Sequence, residues 1–392
     1  MLDNQPSLFH DPQEQSLSEP VHLGAKTRVN LGSFYTPARY VDAVGEWLVK
    51  HGVGDGWTIA DLSCGYGAFF RLAADPRLAK CRYVGNDIDA LALEKAADVF
   101  PFVAFSRQNA LVGVEREKFG IGKGEKLVVV GNPPYNDITS QAKQKIKAEI
   151  MPIDVDLKAR DVGMSSLLAY ERLRADFVAV LHPLSYLVKK ANFDACRRFF
   201  GNYEMLENLV FPSSEFAGTS RKSVFPVVVG LYKRKEGVGM SFDDAARAVF
   251  KTVEGDSFSL SQYEFITAKI AKYPTRRRYK PELLFYTIRD VNALKRSKTF
   301  LPRRMPNAVD VDPAKLAYYC YIDAFKRYAR TPYWMGNLDI PYDPEGFARS
   351  RDDMLDVAMY NNPAVFGRRD LPSPESFERV KTAIAGCLPQ FN

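Results

Sequence analysis

A chain of 392 residues is long enough for two domains, and a balance of 46% hydrophobic to 26% charged residues is that of a folded globular protein rather than a disordered one. No apolar run approaches the roughly 18 residues that a membrane span needs. The polar, acidic first 20 residues lack the basic start and apolar centre of a secretory signal.

Cys64, Cys81, Cys196, Cys320 and Cys387 are scattered and form no C-x-x-C pair, and His10, His22, His51 and His182 lie far apart. The expectation is a reducing, cytoplasmic protein with no disulfide framework and no metal site. The formal net charge of +7 is local. Residues 272–304 hold 11 basic and two acidic side chains, so this stretch carries +9 and the remainder of the chain −2. With Tyr279, Phe285 and Tyr286 interleaved, it suits a phosphate backbone with bases beside it, and equally a solvated face or a linker.

Residues 1–30, rich in Pro, Gln, Ser and acidic residues without periodicity, are expected to form a flexible arm. At Thr36-Pro37 a helix is expected to open, with Thr as N-cap and Pro in the first helical position. Val41, Val44, Trp47 and Leu48 follow at helical spacing, and Gly52 ends the run. A rhythm of strands and helices comes next. Strands are predicted at 57–62, 82–86, 102–106, 127–131, 177–182 and 224–232, and helices from about Ala68, at 90–99 and near 192–200. The run Leu127–Gly131 (LVVVG) is continuous and β-branched, as in a parallel strand covered on both faces. This alternation predicts a doubly wound α/β sheet over residues 31–238, binding ligands at the carboxyl ends of its strands. Beyond 238 the rhythm is lost, and residues 239–392 read as a separate basic, aromatic region of uncertain fold.

Three loops carry chemistry. Asp61-Leu-Ser63-Cys-Gly65-Tyr-Gly67 closes the first strand, and its glycines let backbone turn sharply against a ligand. A dinucleotide fingerprint needs a third glycine where Phe70 stands, so the pyrophosphate cradle is incomplete. The acidic strand end points instead to a ligand bearing an ammonium group. The second strand ends at Asp87, an ionised acceptor suited to the two hydroxyls of a ribose, while Asp89 is expected to cap the following helix. Asn132-Pro133-Pro134-Tyr135 follows LVVVG. Its prolines stiffen the backbone, the Asn132 side-chain oxygen and the Pro133 carbonyl offer two acceptors for an amino group on a planar ring, and Tyr135 offers a face for that ring.

In the order Phe34-Tyr-Thr36-Pro37, Asp61–Phe69, Asp87, Asn132–Tyr135 and a basic C-terminal region, the chain resembles the gamma-class DNA N6-adenine methyltransferases of bacterial restriction–modification systems and phages, over about residues 33–235. The resemblance implies a Rossmann-like class I methyltransferase fold with a mixed seven-stranded sheet, S-adenosyl-L-methionine as cofactor, and a smaller C-terminal region that recognises target sequence in double-stranded DNA. It implies that Thr36 contacts the methionine end of the cofactor, Asp61 its ammonium group and Asp87 its ribose. Ser63, Gly65 and Gly67 would belong to the same pocket, Ile88 would pack on the adenine, and Asn109 would stand where the family usually has an Asp on the adenine amino group. Asn132, Pro133, Pro134 and Tyr135 would be catalytic. Phe216, with Phe225 as second choice, would supply another aromatic to a target base swung out of the duplex. Arg276, Arg277, Arg278, Lys295, Arg296, Lys298, Arg303 and Arg304 are candidate phosphate contacts. Arg221 and Lys222 join them near the flipped base, and Lys143, Lys145 and Lys147 past the Asn-Pro-Pro-Tyr loop. About 30 residues precede Phe34, too few for a nuclease, so a cognate restriction endonuclease, where there is one, is expected on a separate polypeptide.

Three rivals remain open. Asn-Pro-Pro-Tyr also marks enzymes that methylate release-factor glutamine or RNA bases. A DNA-binding protein with a vestigial cofactor fold would keep the loops without the reaction. A nicotinamide oxidoreductase is disfavoured by Phe70.

Overall fold

The computed structural model describes residues 36–135, 152–216, 224–280, 282–367 and 370–389. The chain divides into two compact units, one of Met1–Lys222, Val227–Ala245 and Phe250–Ser257, the other of Ser223–Pro226, Ala246–Val249 and Phe258–Asn392. The first unit therefore continues past residue 238, where the rhythm of the sequence ends.

The first unit is a Rossmann-like α/β fold built on a mixed seven-stranded sheet. Its strands are β1 (Trp57–Asp61), β2 (Arg82–Asp87), β3 (Ala104–Arg107), β4 (Lys126–Gly131), β5 (Phe177–Pro183), β6 (Tyr203–Pro212) and β7 (Pro226–Arg234), in the order β3-β2-β1-β4-β5-β7-β6. β1 through β5 pair in parallel, and β7 runs antiparallel to β5. β4 is buried from Leu127 to Gly131, which is why it reads as an unbroken apolar run. From β1 the chain winds outward to β2 and β3, then returns to β4 on the other side of β1. The carboxyl ends of β1 and β4 thus flank a topological switch point, where the sheet opens a crevice.

Helix α1 (Ala38–Lys50) buries Tyr40, Val41, Val44 and Leu48, while Trp47 is half-buried. Its start corrects the expectation at Thr36-Pro37. Pro37 is the N-cap, extended at ψ 140°, and no side chain caps the helix. Thr36, preceding a proline, is disfavoured in helical geometry, and it is buried instead. The helix expected from Ala68 is a 3-10 helix over Ala68–Ala74. Helix α2 (Ala90–Val99) begins at Asp89, whose carboxylate accepts from the amides of Leu91 and Ala92. Helix α3 (Val162–Arg172) is not legible as a helix in the sequence because it is buried all round from Gly163 to Tyr170, which erases the apolar stripe. Edge strand β6 shows no alternation either, because six of its ten residues in succession are half-buried.

The second unit is α+β. Leu284–Tyr286 pairs antiparallel with Phe300–Leu301 on one side and Ala308–Asp310 on the other. Helices Leu316–Tyr328, Arg351–Asn361 and Pro374–Ala385 share a core with this sheet through Phe285, Tyr319, Tyr321, Met354, Val357 and Val380. Inside it, fully buried Asp323 accepts from Arg327 Nε at 3.0 Å and Asn362 Nδ2 at 3.0 Å. Tyr319 and Tyr321, in the aromatic C-terminal region, are thus core. Strands of two or three residues are too short to show a period.

Candidate functional site

Two of the three loops singled out in the sequence meet at the switch point, and the third adjoins them. Asp61 ends β1 with 2% exposure, and its Oδ1 accepts from the Ser63 amide at 3.1 Å. The turn that follows needs its glycines: Gly65 has φ +50° and Gly67 φ +82°, and a Cβ on Gly67 would lie 2.7 Å from Phe70 Cδ2. Phe70, at the third fingerprint position, is core, packing edge-on to Tyr83, Phe100 and Phe105. The Gly65 amide donates to Asp87 Oδ2 at 2.8 Å, and the Asp89 amide to Asp87 Oδ1 at 3.0 Å. Asp87 thereby fastens the first loop to the second.

Asn86 is a supporting residue that the sequence reading missed. Fully buried, it donates to the carbonyls of Leu62 and Gln108 at 3.0 Å each, and accepts from the Gln108 amide at 2.9 Å and Ser106 Oγ at 3.0 Å. One amide ties together the ends of β1, β2 and β3. A polar residue inside an otherwise apolar strand was the available signal. Beside it Ile88 is 49% exposed, an apolar side chain at the crevice. Asn109 is engaged on both sides of its amide: Oδ1 accepts from the Leu111 amide of its own loop at 2.9 Å, and Nδ2 donates to the carbonyl of Pro152, a distant segment, at 2.8 Å.

Asn132–Tyr135 leaves β4 next to Asp61. A Cβ on Gly131 would stand 3.3 Å from Asp61 Oδ1 and 3.4 Å from the Tyr170 hydroxyl, so glycine is what lets the two strand ends approach. Pro133 is buried and Pro134 half-buried. The Tyr135 hydroxyl donates to Asn132 Oδ1, and burial raises its pKa far enough that the phenol keeps its proton. Behind this loop the Tyr186 hydroxyl donates to Asp161 Oδ1, the same oxygen that caps α3 through the Met164 amide at 2.8 Å. His182 stacks on Tyr186 with centroids 5.3 Å apart, and its Nε2 lies 2.7 Å from the Tyr232 hydroxyl. Burial pushes the His182 pKa down to about 4, so the ring is neutral and a structural partner. Tyr170 and Asp161 carry no signal in the sequence because α3 carries none, and Tyr186 lies in the four-residue helix Ser185–Val188, too short to show a period.

The electrostatics centre on Asp61. Burial raises its pKa to about 8; the Ser63 amide opposes this and the Asp87 charge adds to it. Asp87 is raised as well, again chiefly by burial. Among the described residues no basic side chain pairs with Asp61. A buried carboxylate lacking a cation, beside a glycine turn and a second carboxylate, fits a ligand that brings its own ammonium group and hydroxyls. This donor set accommodates S-adenosylmethionine.

Phe216 is 2% exposed, edge-on to Phe211 with centroids 5.5 Å apart, whereas Phe225 is half-buried. In the second unit Arg276, Arg277, Lys295, Arg296, Lys298 and Arg303 are exposed and form no ion pair with a described carboxylate. Arg304 and Arg278 differ. Arg304 binds buried Asp310 at 2.7 Å and Glu282 at 2.6 Å, and Arg278 binds Asp310 at 3.2 Å. Phe34, Tyr35, Lys143, Lys145, Lys147, Arg221 and Lys222 lie outside the described residues, as do residues 1–30. Among the described residues there is no cluster of three metal-ligating side chains, and no helix is long and apolar enough to cross a membrane.

No family model and no curated protein matches the chain. Solved structures do. A modification subunit assigned to a type I restriction enzyme of Vibrio vulnificus YJ016 matches at 16% identity and TM-score 0.42, over 58% of this chain and 49% of that one. The type I restriction-modification system methyltransferase subunit of Streptococcus thermophilus matches at 15% identity and TM-score 0.40, over 59% and 48%. TrmN of Thermus thermophilus matches at 14% identity and TM-score 0.35, over 58% and 55%. The match thus spans about half the length of each of these proteins.

Proposed function

We propose that the protein is a DNA methyltransferase that moves a methyl group from S-adenosylmethionine to the N6 amino group of an adenine swung out of duplex DNA. The observation that carries this reading is the convergence at the switch point: Asp61 lies against Gly131, Gly65 is bonded to Asp87, and Asn132 follows directly on β4. An acid for an ammonium group, an acid for a ribose and a pair of amine acceptors then line one crevice.

Asp61 holds the ammonium group, Asp87 the ribose hydroxyls, and Ile88 the face of the cofactor's adenine, with Thr36, Ser63, Gly65, Gly67 and Asn109 completing the pocket. Bound there, S-adenosylmethionine supplies an activated methyl whose C–S bond breaks as the N–C bond forms. Asn132 Oδ1 and the Pro133 carbonyl accept the two N–H bonds of the target amine and draw its nitrogen toward sp³ character, which aims its lone pair at the methyl. They also stabilise the positive charge that develops on that nitrogen. One of those protons leaves after transfer, so the site needs no base beforehand. Tyr135 presents its ring to the flipped base. Swinging a base out costs on the order of a few kcal/mol, which stacking and phosphate contacts must offset. The unpaired basic side chains of 276–303 are assigned to those phosphates, and a cognate endonuclease, where present, to another polypeptide.

The test is transfer of labelled methyl groups to unmethylated duplex DNA, RNA and release factor, with the product nucleosides identified by mass spectrometry. N6-methyladenine in DNA alone is the expected product. Label on RNA or protein alone, or on none of the three, refutes the reading.

A further inference from the structure

Gly163 stands in the first turn of α3 without the positive φ that would call for glycine, where alanine is the better helix former. What the glycine provides is space. A Cβ there would lie 2.6 Å from the Tyr186 hydroxyl, 3.3 Å from Tyr135 Cδ1 and 3.4 Å from the Pro134 carbonyl oxygen. One bare helical position therefore touches both residues that end the Asn-Pro-Pro-Tyr loop and the phenol behind them.

That phenol cannot retreat. Tyr186 is 1% exposed, its hydroxyl is bonded to Asp161 Oδ1, and its ring is stacked on His182 at 5.3 Å with planes 6° apart. Asp161 is held in turn by the Met164 amide of the same helix at 2.8 Å. Helix α3, Asp161 and Tyr186 form one braced wall, and the Tyr135 ring rests where Gly163 leaves it bare.

We infer that Gly163, Tyr186 and Asp161 are positioning residues for the proposed transfer: the Tyr186–Asp161 pair fixes the wall, and Gly163 leaves the gap that sets where the Tyr135 ring meets the target base. This inference rests on the methyltransferase reading for its consequence, while the geometry of the wall stands without it. A base gains binding from stacking on an aromatic side chain, so displacing the ring costs turnover. The proposed cofactor contacts of Asp61 and Asp87 involve none of these three residues.

The test uses the full-length protein with Gly163→Ala, Tyr186→Phe and the double variant. Gly163→Ala should lower kcat on unmethylated DNA at least tenfold, with cofactor affinity by calorimetry within twofold of wild type. Tyr186→Phe removes the oxygen 2.6 Å from the added methyl. The double variant should therefore lose less in melting temperature than the two single variants summed, yet remain slow, because the Tyr135 contact at 3.3 Å persists. In protein with ¹³C-labelled tyrosine, the Tyr135 Cζ resonance, assigned with Tyr135→Phe, should move in Gly163→Ala. An unmoved resonance overturns the inference whether or not wild type methylates DNA, and so does wild-type turnover by Gly163→Ala. A moved resonance in a protein that methylates nothing keeps the wall and refutes the methyltransferase reading instead.

Discussion

Replacing Asp61 with Asn tests the electrostatics at the centre of the site. The folded carboxyl group titrates at about 8 against an ordinary 3.8, with burial as the first cause. Because the folded value lies above the unfolded one, its contribution to stability is complete below about pH 4 and is lost as pH rises through about 8. At about 1.36 kcal/mol per pH unit, the ionised group costs the cofactor-free fold at most roughly 6 kcal/mol. Water reaching the carboxylate and relaxation of the loop relieve part of that, leaving about 2–4 kcal/mol. Asn keeps the shape and removes the charge. Urea unfolding of the cofactor-free proteins should therefore show Asp61→Asn more stable than wild type, with the gap widening by about 2 kcal/mol between pH 5 and pH 9. His182, buried neutral with its pKa near 4, weakens both proteins alike in acid and drops out of the difference. Calorimetry should show the opposite ranking for S-adenosylmethionine. Wild-type affinity climbs by up to about tenfold per pH unit toward pH 8, because an ammonium group pairs only with the ionised acid. The variant's affinity should be weak and flat with pH. Parallel stability curves, or a variant that binds the cofactor as tightly as wild type, would refute the reasoning.

Other expected outcomes follow from particular residues. Asn132→Ala should abolish methyl transfer, measured with labelled cofactor, while gel-shift affinity for DNA stays within a few-fold; equal loss of both would count against the role given to Asn132. Gly67→Ala places a Cβ 2.7 Å from Phe70 at φ +82° and should cost about 1–3 kcal/mol in chemical denaturation, because the ring it meets is locked among other aromatics. In the second unit, Arg304→Ala should lower the melting temperature, since buried Asp310 keeps only Arg278. Arg276→Ala and Arg277→Ala should leave melting unchanged and reduce the salt dependence of DNA binding by about 0.9 in log–log slope for each phosphate no longer neutralised. Were Arg304 to behave like Arg276, the division into structural and free cations would be wrong.

Local chemistry along the chain is enough to foresee the alternating sheet, the burial of β4 and the cap of α2 at Asp89, because each depends on a period or a cap that neighbours in sequence display. The order of the loops also announces a crevice at the strand ends, since parallel strands with crossover helices put their carboxyl ends on one side. Tertiary structure alone decides what fills the space between those loops. Asn86 ties three strand ends together through carbonyls that lie about 20 residues away along the chain. Arg304 is drawn from a basic run into an ion pair with buried Asp310, which no count of charges distinguishes from a free cation. Helix α3, buried all round, shows no stripe to read, so Asp161 and Gly163 stay hidden, as does Tyr186 in a helix of four residues. Patterns in a chain report which residues share a face; which faces then meet, and which groups those meetings leave buried or bare, depends on packing among segments far apart in sequence.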